Sequence, residues 1–386
     1  MTNSDPHETH GRQGRFFATA AKGTEGLLAE ELDELALPAV RAARGGVYFG
    51  TAPEHALSAC LWTRIALRVL EPLGEFECRH ADDLYDGVSA VDWSRYFGGD
   101  QTLSVRASGH GPTLTHTHFI AVRTKDAIVD QLRERHGRRP SVDRDAADVT
   151  LFVHLARERA TINVEYSGGS LHEHGYRGQH GSGGAPLREN LAAALVRFSG
   201  WRGDTPLTDP MCGSGTLLLE AGLWAARRAP GLDKRFGFQR WSCFDESSAR
   251  TWNDLREAAA AAARPVPLLF GSDLDPKALE RARAAAERAG VAVDLCVSPL
   301  DAVKPQHGEG GLLLNPPYGE RLAKPKGLEV DVGRVLERFE AHQRGAIVPV
   351  DFPVSVSASR WLSVFNGALE CEFRRYDARP STRASG

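Results

Sequence analysis

Leu207-Thr208-Asp209-Pro210-Met211-Cys212-Gly213-Ser214-Gly215-Thr216 reads as a short strand, a glycine-bearing turn and the start of a helix that the apolar run 217–226 continues. That order presents backbone N–H groups at a helix N-terminus, the context a nucleotide-type cofactor requires. The glycines are not spaced G-x-G-x-x-G, so no pyrophosphate cradle is spelled out and a nicotinamide site is disfavoured. The stretch predicts an α/β fold whose ligands sit at the carboxyl edge of the sheet.

A second stretch, Leu312-Leu313-Leu314-Asn315-Pro316-Pro317-Tyr318-Gly319, has the same form. Three leucines make a buried strand, and two prolines end it because neither can donate to a ladder. Asn315 is left at the strand's carboxyl edge. A planar amino group, as in a nucleobase or a carboxamide, has a delocalised lone pair and needs acceptors more than it needs a base. The Asn315 side-chain oxygen and the Pro316 carbonyl can take its two hydrogens, while Pro317 stiffens the turn and Tyr318 can stack on the flat ring. Alone, the tetrapeptide reads equally well as a Pro-Pro turn with a packed tyrosine; the cofactor loop upstream favours the chemical reading.

The surrounding elements alternate. A helix opens at Pro186 and closes at Gly200, and a strand over 266–270 ends at Gly271-Ser272-Asp273-Leu274-Asp275-Pro276. Asp273, one step beyond that strand and beside Leu274, is placed for a ribose diol. A strand over 291–297 precedes Asp301, which can accept from an adenine amino group; further strands cover 312–314 and 346–350. The segment 230–252, with Phe236, Phe238, Trp241 and Phe244, reads as an irregular aromatic insertion or lid. Asn366-Gly367 joins two alternating runs as a hairpin. A βα series finished by an antiparallel hairpin is the pattern of a Rossmann-like methyltransferase sheet of seven strands with its last strand reversed.

Upstream, residues 1–13 read as a disordered tail and 14–67 as a small α+β unit, with a strand at 16–20, a helix through Leu27, Leu28 and Leu32, strands over 40–50 and a helix over 52–67. A second α+β unit covers 68–168, with a strand at 103–107, a helix at 119–135 and a hairpin of 149–155 with 160–166. Its Arg106, Arg123, Lys125, Arg138 and Arg139 make either a solvated helix face or an RNA-facing surface; the downstream chemistry favours RNA. In the linker 169–184, His172, His174 and His180 invite zinc, but no cysteine or carboxylate has ligand spacing, so no metal is expected. Tyr176 and Arg177 there are candidate cofactor or RNA contacts, with surface packing as the plainer alternative. The catalytic domain is expected over 185–386.

Lys and Arg number 47 against 50 Asp and Glu, a net charge of −3, so no global basic field announces nucleic acid. The six cysteines are scattered without a C-x-x-C pair, and no stretch approaches a membrane span, so a cytoplasmic, monomeric protein is expected.

Asp209 to Gly215, Asp273, Asp301 and Asn315-Pro316-Pro317-Tyr318 resemble the S-adenosylmethionine-binding and catalytic motifs of amino-group methyltransferases. Lys125-Asp126-Ala127-Ile128-Val129-Asp130, Val142-Asp143-Arg144-Asp145, His174-Gly175-Tyr176-Arg177, Phe236-Gly237-Phe238 with Trp241, and the run Asn315 to Leu322 narrow this. From Phe16 onward the chain resembles bacterial 23S ribosomal RNA guanine-N2 methyltransferases that carry a THUMP domain. The resemblance implies a ferredoxin-like piece, a THUMP unit that grips RNA and a class I methyltransferase domain. It implies cofactor contacts from Asp209, Pro210, Met211, Cys212, Gly213, Ser214, Gly215, Thr216, Asp273, Leu274, Asp301 and Asn315, with Tyr176 and Arg177 as candidates from the linker. The catalytic set is Asn315, Pro316, Pro317 and Tyr318. The substrate is 23S rRNA or a ribosome assembly intermediate, and the Phe-Gly-Phe insertion favours it over tRNA. Some relatives continue into a second methyltransferase domain; since the sequence stops at Gly386, only the guanine-N2 activity is expected. Direct transfer with the base flipped out is expected, against a covalent route through Cys212. Other classes remain open: a tRNA guanine-N2 or DNA adenine-N6 enzyme, or an RNA-binding scaffold with a silent cofactor fold.

Overall fold

A computed structural model describes residues 15–177, 187–317 and 327–379. The tail 1–13, His180, Pro186 and the run 318–322 with Tyr318 lie outside the described residues. The rest divides into two compact units, one of the residues up to Thr19 with Leu32–Leu171 and Asp233–Glu257, the other of Ala20–Glu31, which holds most of the first helix, with His172–Leu232 and the residues from Ala258 on.

In the first unit, β1 (Phe16–Thr19), β2 (Arg41–Ala43), β3 (Gly46–Phe49), β4 (Arg68–Glu77), β5 (Leu103–His110), β6 (Val149–Ala156) and β7 (Arg159–Glu165) form one sheet. Its order is β2-β3-β1-β4-β7-β6-β5, antiparallel except for β5 with β6. The helices of this part of the chain are α1 (Glu25–Glu34), α2 (Pro53–Trp62), α3 (Ala81–Ser89) and α4 (Thr117–His136). The long strand β4 was not legible, because Pro72, Gly74 and three glutamates interrupt its apolar pattern. Proline is tolerated here because the register against β7 shifts between Pro72 and Gly74. By pairing with both β1 and β7, β4 makes the two N-terminal α+β segments a single sheet. Helix α2 ends at Trp62, five residues before the expected end. Thr63 turns extended there, and its hydroxyl accepts from the Ala66 N–H.

The aromatic insertion belongs to this first unit, which corrects the expectation of a lid. Trp241 packs edge-on against Tyr96 and Tyr166 at ring-centroid separations of 5.1 and 4.9 Å. Its indole N–H donates to the Asp148 carbonyl at 2.9 Å. Phe236 stacks on Phe238 at 5.3 Å, and Gly237 between them passes so close to Asp148 that a Cβ would sit 2.5 Å from its carbonyl oxygen. Nor is 230–252 irregular to its end: Trp252 lies in α7 (Glu246–Ala261), where it meets both phenylalanines edge-on.

The second unit carries α5 (Glu189–Ser199), β8 (Leu207–Asp209), α6 (Thr216–Ala225), β9 (Leu269–Asp273), α8 (Pro276–Ala289), β10 (Asp294–Val297), β11 (Gly311–Leu314), α9 (Leu328–Arg338), β12 (Gln343–Pro349), β13 (Arg360–Asn366) and β14 (Leu369–Tyr376). The sheet order is β10-β9-β8-β11-β12-β14-β13, with β10 through β12 parallel and β14 running against β12. This is the seven-stranded sheet with the reversed final strand. Strand β9 starts three residues later than expected, since Pro265 and Pro267 cannot donate to a ladder, and Asp273 is its last residue. Strand β10 starts at Asp294, because the Val291 N–H bonds back to Ala286 and closes α8. Helix α9 was missed, although its Leu328, Val332, Val335 and Leu336 recur at helical spacing; all four pack with Leu312, Leu314, Ala346 and Val348.

Candidate active site

Because β8 to β12 are parallel, Asp273, Asp209 and Leu314 all finish their strands at one edge. Strands β10 and β9 lie on one side of β8, and β11 and β12 on the other. The chain therefore reverses its winding at β8, the kind of point where ligands bind. Asp273 and Asn315 are separated by two strand spacings, about 10 Å, with the glycine turn between them.

That turn is fixed by backbone bonds. The Gly215 N–H donates to the Cys212 carbonyl at 2.7 Å, and Gly215 caps α6 at φ +82°, where a side chain would be strained. The Cys212 N–H donates to the Ser272 carbonyl at 2.9 Å, tying the turn to β9. Asp273 takes the Gly213 N–H at 2.8 Å on one oxygen and the Asp275 N–H at 2.9 Å on the other. Each oxygen keeps a second acceptor site, so a fixed carboxylate faces whatever lies over the turn. Asp209 is a different kind of acid. It is buried, one oxygen accepts the Met211 N–H at 3.1 Å, and burial with the nearby Asp273 charge pushes its carboxyl up to about 8. Asp209 is thus a neutral brace of the turn near pH 7. Cys212 is buried too, and burial followed by the Asp209 and Asp273 charges pushes its thiol up, so it is no nucleophile. Leu274 and Asp301 are exposed on the same edge, Asp301 within the helical turn Leu300–Ala302.

At the end of β11, Asn315 is half-buried, Pro316 buried and Pro317 half-buried. The side-chain Oδ1 of Asn315 is inaccessible to solvent and has no hydrogen-bond partner among the described residues. A buried carbonyl left this way costs roughly 1–3 kcal/mol, which suits a site whose donor arrives with a ligand.

Tyr176 and Arg177 behave differently from the expectation. Tyr176 is 3% exposed, which overturns surface packing, and its hydroxyl donates to Glu220 of α6 at 2.7 Å. Burial and the Glu220 charge raise the phenol, keeping it a donor to Glu220. His174 Nδ1 donates to the same Glu220 oxygen at 2.7 Å. Among the described residues no group of three His, Cys, Asp or Glu side chains could hold a metal ion. Arg177 reaches the Leu187 carbonyl, the Thr216 hydroxyl at 3.1 Å and Glu189 at 3.0 Å. It clamps the entry of α5 to the first residue of α6. Sequence reasoning missed Glu189, Asn190 and Glu220; the signal available was their polarity on otherwise apolar helices.

Among the basic candidates, Arg123 is committed to Asp82 and lies 4.4 Å from the Tyr85 ring centre, while Lys125 pairs with Asp126. Arg138 and Arg139 are exposed just past Gly137, the left-handed cap of α4, and Arg106 is half-buried on β5.

The RlmL ferredoxin-like domain family matches residues 15–70, the THUMP domain family 78–165 and the RMKL-like methyltransferase domain family 175–348. The chain thus carries, in order, domains of the RlmL ferredoxin-like, THUMP and RMKL-like methyltransferase families. Among relatives, it is similar to the ribosomal RNA large subunit methyltransferase K/L of Methylococcus capsulatus, 41% identical over 95% of this chain and 51% of that protein. The Syntrophotalea carbinolica protein of the same name is 40% identical over 94% of this chain and 53% of its own length. The chain thus spans about half the length of these relatives. Among solved structures, it is similar to the SMU.472 methyltransferase complexed with SAH: TM-score 0.83, 28% identity, 95% of this chain and 98% of that one. A Listeria monocytogenes protein described as a predicted N6-adenine-specific DNA methylase gives TM-score 0.82 at 26% identity, covering 98% and 99%. Among the described residues no helix is long and apolar enough to cross a membrane.

Proposed function

We propose that this chain transfers the methyl group of S-adenosylmethionine to the exocyclic N2 of a guanine in 23S ribosomal RNA, as a cytoplasmic enzyme. The observation that carries the reading is the unpaired, buried Asn315 Oδ1 at the end of β11, across the switch point from Asp273. S-adenosylmethionine, when bound, supplies a methyl already activated by a sulfonium, so the protein needs to bind, orient and desolvate. Asp273, with a free acceptor site on each oxygen, is suited to a ribose diol; Asp301 to an adenine amino group; the N-terminus of α6 to negative charge. Asn315 Oδ1 and the Pro316 carbonyl would accept the two amino hydrogens of the base, holding its nitrogen toward the methyl. Once methylated, that nitrogen is cationic and loses a proton to water, so no strong base is required. The buried, protonated Cys212 disfavours a covalent route.

RNA as the substrate is supported by the THUMP match over 78–165 and by the name of the K/L relatives; an exocyclic amino group as the acceptor is supported by the Asn-Pro-Pro turn, and guanine N2 by the resemblance of the sequence motifs to the guanine-N2 enzymes. The similarity to the Listeria protein keeps DNA adenine N6 as the second reading. The test is to incubate the protein and labelled cofactor with total RNA and total DNA, then digest to nucleosides. Label in N2-methylguanosine from large-subunit RNA is expected. Label in tRNA or in N6-methyladenine of DNA would overturn the substrate, and no label anywhere despite cofactor binding would leave an RNA-binding scaffold.

A further inference from the structure

Asn190 is the second residue of α5 and is 1% exposed, yet neither its Oδ1 nor its Nδ2 has a hydrogen-bond partner among the described residues. A buried amide with both ends unpaired is costly, by roughly 1–3 kcal/mol for each atom. Its helix neighbours Leu191, Ala192, Ala193 and Ala194 are all buried, so an apolar side chain would suit the packing better. The position is therefore not explained by the fold.

Its place explains it. Arg177 holds the Leu187 carbonyl, the Glu189 carboxylate and the Thr216 hydroxyl on one guanidinium. The first turn of α5 is thereby fixed beside the first turn of α6, directly after the glycine turn 213–215. Asp273, the acid suited to a ribose, lies on the β9 side of that turn. The α5 side remains for the other end of the same ligand.

We infer that Asn190 is the contact for the zwitterionic amino-acid end of the methyl donor, Oδ1 accepting from its ammonium and Nδ2 donating to its carboxylate. This rests on the S-adenosylmethionine reading above. A neutral amide suits the task because one side chain offers a donor and an acceptor at once, without a buried charge of its own when the site is empty. The α6 N-terminus favours the carboxylate.

The test compares two ligands by calorimetry: S-adenosylhomocysteine, and 5′-methylthioadenosine, which keeps the adenosine and thioether but lacks the amino-acid end. Asn190→Ala is expected to weaken S-adenosylhomocysteine at least tenfold and to leave methylthioadenosine within twofold of wild type. Asn190→Leu is expected to leave the unfolding midpoint of the free protein unchanged or raised, while abolishing the extra rise S-adenosylhomocysteine gives. Unchanged S-adenosylhomocysteine affinity in Asn190→Ala overturns the inference, as does equal loss of both ligands. So does a large drop in the free protein's midpoint in Asn190→Leu, which would make the amide structural. A wild type that binds neither ligand sinks the cofactor reading itself.

Discussion

The two seven-stranded sheets of this chain solve the same problem in opposite ways. In the first, neighbouring strands run mostly antiparallel, so its loops leave from both ends and no single edge gathers them. Its buried Glu71 and Glu165 each hold an arginine on one oxygen, Arg15 and Arg68, while the other oxygen of each is buried without a partner among the described residues. In the second, five parallel strands end on one side. Asp209, Asp273 and Asn315 arrive there together, and Asn315 keeps an unanswered polar atom. Strand direction thus decides where polar groups can converge, and at Asn315 the convergence point coincides with an unpaired buried atom.

The largest expected effect probes the second sheet. Asn315→Ala should lower single-turnover methyl transfer by about 10²–10³, the scale for one positioned hydrogen-bonding group, while S-adenosylhomocysteine affinity by calorimetry stays within twofold. Retained turnover would break the link between the unpaired oxygen and chemistry. Next comes the aromatic insertion: Trp241→Ala should destabilise the first unit by about 3–5 kcal/mol in denaturant unfolding, as large aromatic truncations do, and leave cofactor affinity unaltered. Lost cofactor binding in that folded variant would mean that the insertion serves the second unit after all. A smaller effect is expected from Arg138→Ala with Arg139→Ala. The slope of log affinity for RNA against log salt should fall by about 1.4–1.8 in filter binding, if both arginines reach phosphates. An unchanged slope would move the RNA surface elsewhere.

A pH dependence is expected from Asp209. Its carboxyl is raised from 3.8 to about 8, so the native state keeps a proton that the unfolded chain has already lost. Stability linked to this group is fully present below pH 3.8 and declines as pH rises toward about 8. Asp209→Asn should flatten that decline, read as the difference in urea midpoint between pH 5 and pH 8; an equal difference in both proteins would show that Asp209 ionises normally.

Much of this was legible before any coordinates. The strand, glycine turn and helix at 207–216, the Asn-Pro-Pro turn and the Asn-Gly hairpin are local signals, written within a few residues by proline, glycine and apolar runs. They carried the second unit's fold class and the neighbourhood of its site. Strand β4 was hidden because a bulge tolerates Pro72 and because its partners β1 and β7 are remote in sequence. The destination of Phe236, Phe238 and Trp241 was equally hidden, since an aromatic cluster does not say which surface it will cover.

The sequence by itself determined which residues could do chemistry here, because cofactor turns and amide acceptors are short patterns of residue type. Only the tertiary structure decided which of them have work left to do. It placed Tyr176 on Glu220 and Arg123 on Asp82, and left Asn190 and Asn315 with unpaired buried atoms. The physical reason is that hydrogen-bond satisfaction is a property of neighbours in space, and those neighbours come from dozens of residues away.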